Sequence, residues 1–155
     1  MTVINIIDMD SFEKFLEKKN QPEKAVNWDE RKNSWVKSVN SLYADINTWL
    51  NPFINRSLIS VRTKDISIYE QFIGSYDLKQ LDIVVGKDII SLIPRGTLIL
   101  GSNGRIDMKG PKGDLFIIEP EWNKWKFVIK TNNKRELSEV NATSFQSAIQ
   151  SIANG

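Results

Sequence analysis

The chain has 155 residues, 41% hydrophobic and 26% charged, with a formal net charge of +2. That is the profile of one globular domain, and its small positive balance does not by itself call for a polyanionic partner. Cysteine and histidine are both absent. Thiolate nucleophiles, disulfides, Ser-His-Asp relays and His- or Cys-ligated metals are therefore excluded, and any chemistry rests on carboxylates, Lys, Arg, Ser, Thr or Tyr.

At the N-terminus, Val3 to Ile7 is too short an apolar run to assign by period. Met1 to Asp10 lacks a basic n-region and a small-residue cleavage site, and no apolar run approaches the ~20 residues of a membrane span. The expectation is a cytoplasmic protein with no membrane association. Asp10 to Glu13 has the form of a capping box, with Phe12, Phe15 and Leu16 as one face of a short helix. Pro22 then suits the first turn of a long helix. Trp28, Trp35, Leu42 and Trp49 recur every seven residues, with columns Val39-Ile46-Phe53 and Val36-Tyr43-Leu50 beside them. These columns predict a helix over about 22–50 with a broad apolar stripe, stopped by Asn51-Pro52 because the residue before proline is pushed out of the helical region.

From Ser57 the period changes to two. Short β-branched runs alternate with turn formers: Thr63-Lys64-Asp65, Gly74 to Asp77, Gly86-Lys87, Pro94-Arg95-Gly96, Gly110 to Gly113 and Asn132-Asn133. Asn103-Gly104 is the strongest hairpin signal, since both central residues of a type I′ turn need positive φ. Seven to nine strands joined by such turns make a mainly antiparallel meander over about 57–140, strongly curled. Asn141 or Thr143 caps a last amphipathic helix over 142–153, bearing Phe145, Ala148, Ile149 and Ile152. The predicted fold is a single α+β domain: helices over 1–53, one curled sheet, and a closing C-terminal helix.

Two constellations are candidates for chemistry. Asp107-Met108-Lys109 sets a carboxylate and an ammonium on one face of a strand, and with Asp82 upstream the set has the donors to hold Mg²⁺ while the lysine steadies a water. In those residues alone it resembles the metal-site half of the PD-(D/E)xK nuclease motif, which implies a Mg-dependent nuclease-like enzyme using Asp82, Asp107 and Lys109. The alternation equally makes Asp107 and Lys109 the solvent side of a hairpin whose Ile106 and Met108 point inward. That reading assigns no catalytic residue, no metal and no cofactor.

The second constellation is Trp122, Lys124, Trp125 and Lys126, whose aromatics could stack bases while the lysines follow phosphates. Glu119 and Glu121 adjoin it, and no RNP-type or helix-turn-helix pattern accompanies it. The glycine clusters at 101–104 and 110–113 open no helix and read as turns rather than a phosphate cradle. The leading expectation is a non-enzymatic protein, a monomer or weak homodimer, whose partner is another protein. Trp122, Trp125, Lys124 and Lys126 are its binding candidates.

Overall fold

The computed structural model describes residues 11–17, 26–97 and 102–155. It shows an α+β fold in which a long helix and a short C-terminal helix cover one face of a seven-stranded antiparallel meander. Helix α1 spans Trp28–Asn55, roughly 40 Å at 1.5 Å per residue. Asn27 caps it, its side chain accepting from the Glu30 amide at 3.0 Å, and Asp29 and Glu30 complement the positive end of the dipole. Residues 21–25 lie outside the described residues, and Val26 and Asn27 are not helical, so Pro22 is not in the first turn of α1.

Nor does Asn51-Pro52 end the helix, which runs on to Asn55. The N–H that Pro52 lacks would have faced the Thr48 carbonyl on an exposed side, where water can replace it, while Phe53 and Ile54 still pack on the core. The true stop is a Schellman motif. Ser57 takes φ +57°, its amide donates to Ile54 O, and Leu58 N donates to Phe53 O.

The strands are β1 Ile59–Glu70, β2 Gly74–Val85, β3 Asp88–Gly96, β4 Arg105–Gly110, β5 Gly113–Glu121, β6 Lys124–Thr131 and β7 Lys134–Glu139, paired in chain order. Thr63-Lys64-Asp65 does not interrupt the chain, and Gly74 to Asp77 lies inside β2; the reversal falls on 71–73, where Phe72 adopts φ +74°. Asn132-Asn133 is the turn with positive φ at both central residues. Asn103-Gly104 is not such a hairpin: neither residue has positive φ, and it lies in the β3–β4 connection, bonded to Glu119 on β5. Leu98 and Leu100, expected in a strand, fall outside the described residues, as does Asp10 of the expected capping box.

Curl has a specific origin. The register of β2 with β3 stops at Leu81–Leu92, while β1 and β2 stay paired to Glu70–Gly74. Continuing that register would set Lys79 opposite Pro94, which has no N–H to give. The Tyr43 hydroxyl of α1 fills the gap, donating to Lys79 O at 2.8 Å, with Leu92 O at 3.4 Å. Beyond the split the buried positions of β2 change parity, from Leu81 and Ile83 to Leu78 and Tyr76, as the long hairpin wraps around α1.

The core lies between α1 and the sheet. Trp35, Val39, Leu42, Ile46 and Leu50 meet Leu81, Ile83, Ile90, Leu92, Ile106, Met108 and Ile117. Helix α2, Ala142–Ile152, carries the expected Phe145, Ala148, Ile149 and Ile152 into that layer and is capped by an Asn141–Ser144 capping box. Its end is tied down by Lys112 N to Ile152 O and by Asn154 to Asp88. A segment at 11–17 is also helical, with Phe12, Phe15 and Leu16 exposed rather than in the core. No helix among the described residues is long and apolar enough to cross a membrane.

Candidate functional site on the outer face of the sheet

Strand alternation gives the sheet a second face, opposite both helices. Because the ladders are in register, its side chains line up in rows across the strands. One row runs Ile93–Asp107–Phe116–Val128–Leu137, from β3 to β7. Phe116 is 36% exposed and Leu137 54%, while Ile93 and Val128 are half-buried.

Asp107 is the polar member of that row, and it sits beneath two arginines. Its Oδ2 lies 2.7 Å from Arg95 Nε and its Oδ1 2.9 Å from Arg105 Nε, the second an ion pair without well-aligned hydrogen-bond geometry. The Asp107 side chain is 7% exposed against 42% and 39% for the arginines. Arg95 reaches it from a bulge between Pro94 and Gly96, and the Arg105 guanidinium stacks on the Phe116 ring at 4.9 Å.

Asp82, Asp107 and Lys109 do share this face, but they do not converge on one another. Asp82 accepts from Ser91 at 2.7 Å and Gln80 at 2.9 Å, with Arg62 at 3.9 Å. Ser91 stands between Asp82 and Lys109 in the row, and Lys109 is opposite Asp114 on its other side. Among the described residues no three acidic side chains come within reach of one metal ion.

The tryptophan cluster divides. Trp122 is 45% exposed at the β5–β6 turn, beside a cleft of about 300 Å³ lined by Ser34, Lys37, Ser38, Ser41 and Asn123. Trp125 is a core residue, 7% exposed and packed against Trp35 with ring centroids 5.7 Å apart. β6 turns it to the helix side, where it also lines a cleft of about 300 Å³ with Leu42, Asp45 and Trp49. Lys124 pairs with Glu121 at 3.0 Å, and Lys126 stands on the outer face between Ile118 and Glu139.

Two buried carboxylates lie on the helix side. Glu119 is fully buried, accepting from the Ser38 hydroxyl and, at 2.8 Å, from Asn123 N, while its Oε1 has no hydrogen-bond partner. Burial pushes its pKa up, against the two hydrogen bonds that favour the charged form. Glu70, also buried, accepts from the Tyr76 hydroxyl and from Thr97 N at 2.6 Å. Burial, helped by that carboxylate, raises the Tyr76 pKa. The Glu70 carboxylate ties the β1–β2 hairpin to the β3–β4 connection, and the Glu119 carboxylate ties α1 to the β5–β6 turn, which is a structural use of both.

The outer-face residues Arg95, Arg105, Phe116 and Leu137 were not candidates on sequence grounds. Phe116 lies in the continuous apolar run Leu115 to Ile118 and Arg95 in a turn-like Pro94-Arg95-Gly96, so hydrophobic pattern does not orient them, and only cross-strand register joins these residues into one surface. The chain matches no protein-family model, no curated protein and no solved structure.

Proposed function

We infer that the protein is a non-enzymatic contact module that binds another protein through the outer face of its sheet. The observation that supports this is the row Phe116–Val128–Leu137 with Ile93, an apolar strip left uncovered by α1 and α2. An antiparallel sheet with one solvated face normally sets polar residues there, so a contiguous apolar row needs a reason. The Trp28–Trp49 stripe of α1 is the weaker candidate: Trp35 is core, Trp28 stacks on Phe72, and Trp49 packs on Phe145.

Site-specific photo-cross-linking in the native host tests the reading. A photoreactive side chain at Leu137 should yield a discrete protein adduct, and one at Asn47, exposed on α1, should not. Adducts from position 47 alone would reject it.

Exposed Trp122 favours a second reading, a single-stranded nucleic-acid binder using Trp122, Lys124 and Lys126. It requires binding to an oligonucleotide that weakens steeply with salt and is lost in Trp122→Ala.

A further inference from the structure

We propose that the outer face of the sheet takes an acidic amphipathic helix of a partner protein, lying across the strands along the Ile93–Leu137 row. This rests on the contact-module reading above and adds the chemistry of the partner. The charges flanking the row carry the inference. On one side the strands present Arg62, Asp82, Ser91, Lys109 and Asp114, and β6–β7 continue this side with Lys130 directly opposite Arg135. On the other side Arg95 and Arg105 are followed by Ile118, Lys126 and Glu139. Cations outnumber carboxylates on both flanks.

The signs also differ in depth. Asp82 and Asp107 are sunk at 13% and 7% side-chain exposure, and the arginines that pair with them stand outward at 62%, 42% and 39%. A ligand approaching these ion pairs therefore meets guanidinium groups first, while the remaining flank carboxylates, Asp114 and Glu139, are exposed alongside the lysines. Lys130 opposite Arg135 is a like-charge cross-strand pair, which costs stability unless an anion answers it. A second copy of the same face would meet the same surplus of positive charge, which argues against self-association here.

Dimensions select a helix. Side chains two residues apart along a strand are roughly 6.7 Å apart, so the flanking rows are about 13 Å from one another, close to the ~10–12 Å width of an α-helix. Five strands at ~4.8 Å spacing make the whole row, Asp107 included, about 19 Å long, which about thirteen helical residues would cover, with the continuous apolar part over β5–β7 about 10 Å of it. A helix with an apolar stripe and carboxylates on both borders matches all three rows. Stacked bases fit less well, because the single aromatic ring in the row, Phe116, already carries Arg105 on its face.

The test uses the whole protein and three probes: a helical peptide with a Leu/Phe stripe bordered by Glu, the same peptide with Gln for Glu, and an oligothymidylate. Titrations followed by amide chemical shifts should move Phe116, Val128 and Leu137 with the Glu peptide. Affinity should fall about two- to fivefold for each charge removed in Lys109→Gln and Lys126→Gln, and as salt rises. Lys37→Gln, on the helix side, should change nothing.

Equal binding of the Glu and Gln peptides at this face would overturn the acidic preference while leaving the contact surface standing. Shifts confined to the helix side would remove both readings. Tighter binding of oligothymidylate on the same rows would replace the partner with a nucleic acid. If Phe12→Asp in the protein alone shifts Phe116 and Leu137, the chain's own 11–17 segment is the occupant and the proposal falls.

Discussion

The six-membered ring of Trp35 occupies the space that a Cβ on Gly104 would need: Cζ3, Cη2 and Cε3 are the three atoms such a Cβ would meet first. Glycine is required here by close approach rather than by a left-handed turn, since Gly104 has no positive φ. The same indole packs against Trp125, with ring centroids 5.7 Å apart, in a fully buried site. Gly104→Ala should therefore lose about 1–3 kcal/mol in urea unfolding, the range for overpacking a dense core. An unchanged midpoint would show that the ring has room to move.

Tyr43 replaces the hydrogen bond that Pro94 cannot make. Tyr43→Phe should cost about 1 kcal/mol and speed amide exchange along β2 and β3 near Leu81 and Leu92, where their ladder ends. Burial raises the pKa of this phenol, with Asp82 adding to the effect, so it stays a donor throughout the ordinary pH range. Exchange that remains unaltered at the split would mean water serves Lys79 equally well.

Glu119 should make stability depend on pH in a direction opposite to that of a salt-bridged carboxylate. Its folded pKa is raised above the ordinary 4.5, so between that value and the raised one the folded state holds more protons than the unfolded chain. Its contribution is fully present below about 4.5 and is lost as pH rises through the folded value. Unfolding midpoints measured across this window should fall with pH by less in Glu119→Gln than in wild type. Parallel curves for the two proteins would reject the assignment.

Asp107 is expected to anchor two arginines, and the loss should be asymmetric. Asp107→Ala leaves Arg95 and Arg105 without their shared counter-charge and should cost about 1–2 kcal/mol. Arg95→Ala leaves the carboxylate with Arg105 and should cost less than about 1 kcal/mol. Equal losses would indicate that Arg95 contributes through packing instead.

How far this could be read in advance varies with the range of the interaction. The sequence alone determined the α+β class, the meander, the tryptophan stripe of α1 and the C-terminal helix, because each follows from hydrophobic period and turn chemistry within a few residues. It misassigned Asn51-Pro52 and Asn103-Gly104 for a related reason. Each has a strong local preference that a tertiary contact outweighs: the packing of Phe53 and Ile54 carries the helix past Pro52, and the ring of Trp35 accounts for the glycine at 104.

Only the tertiary structure decided that Trp125 is core while Trp122 is exposed, and that Asp82 and Asp107 each have their own partners. It also decided that Phe116, Val128 and Leu137 form one apolar row, continued past Asp107 by Ile93, between positive flanks. Alternation says which side of a strand a residue faces, but which residues become neighbours is fixed by register between strands, and that depends on bulges, splits and turns distributed along the whole chain.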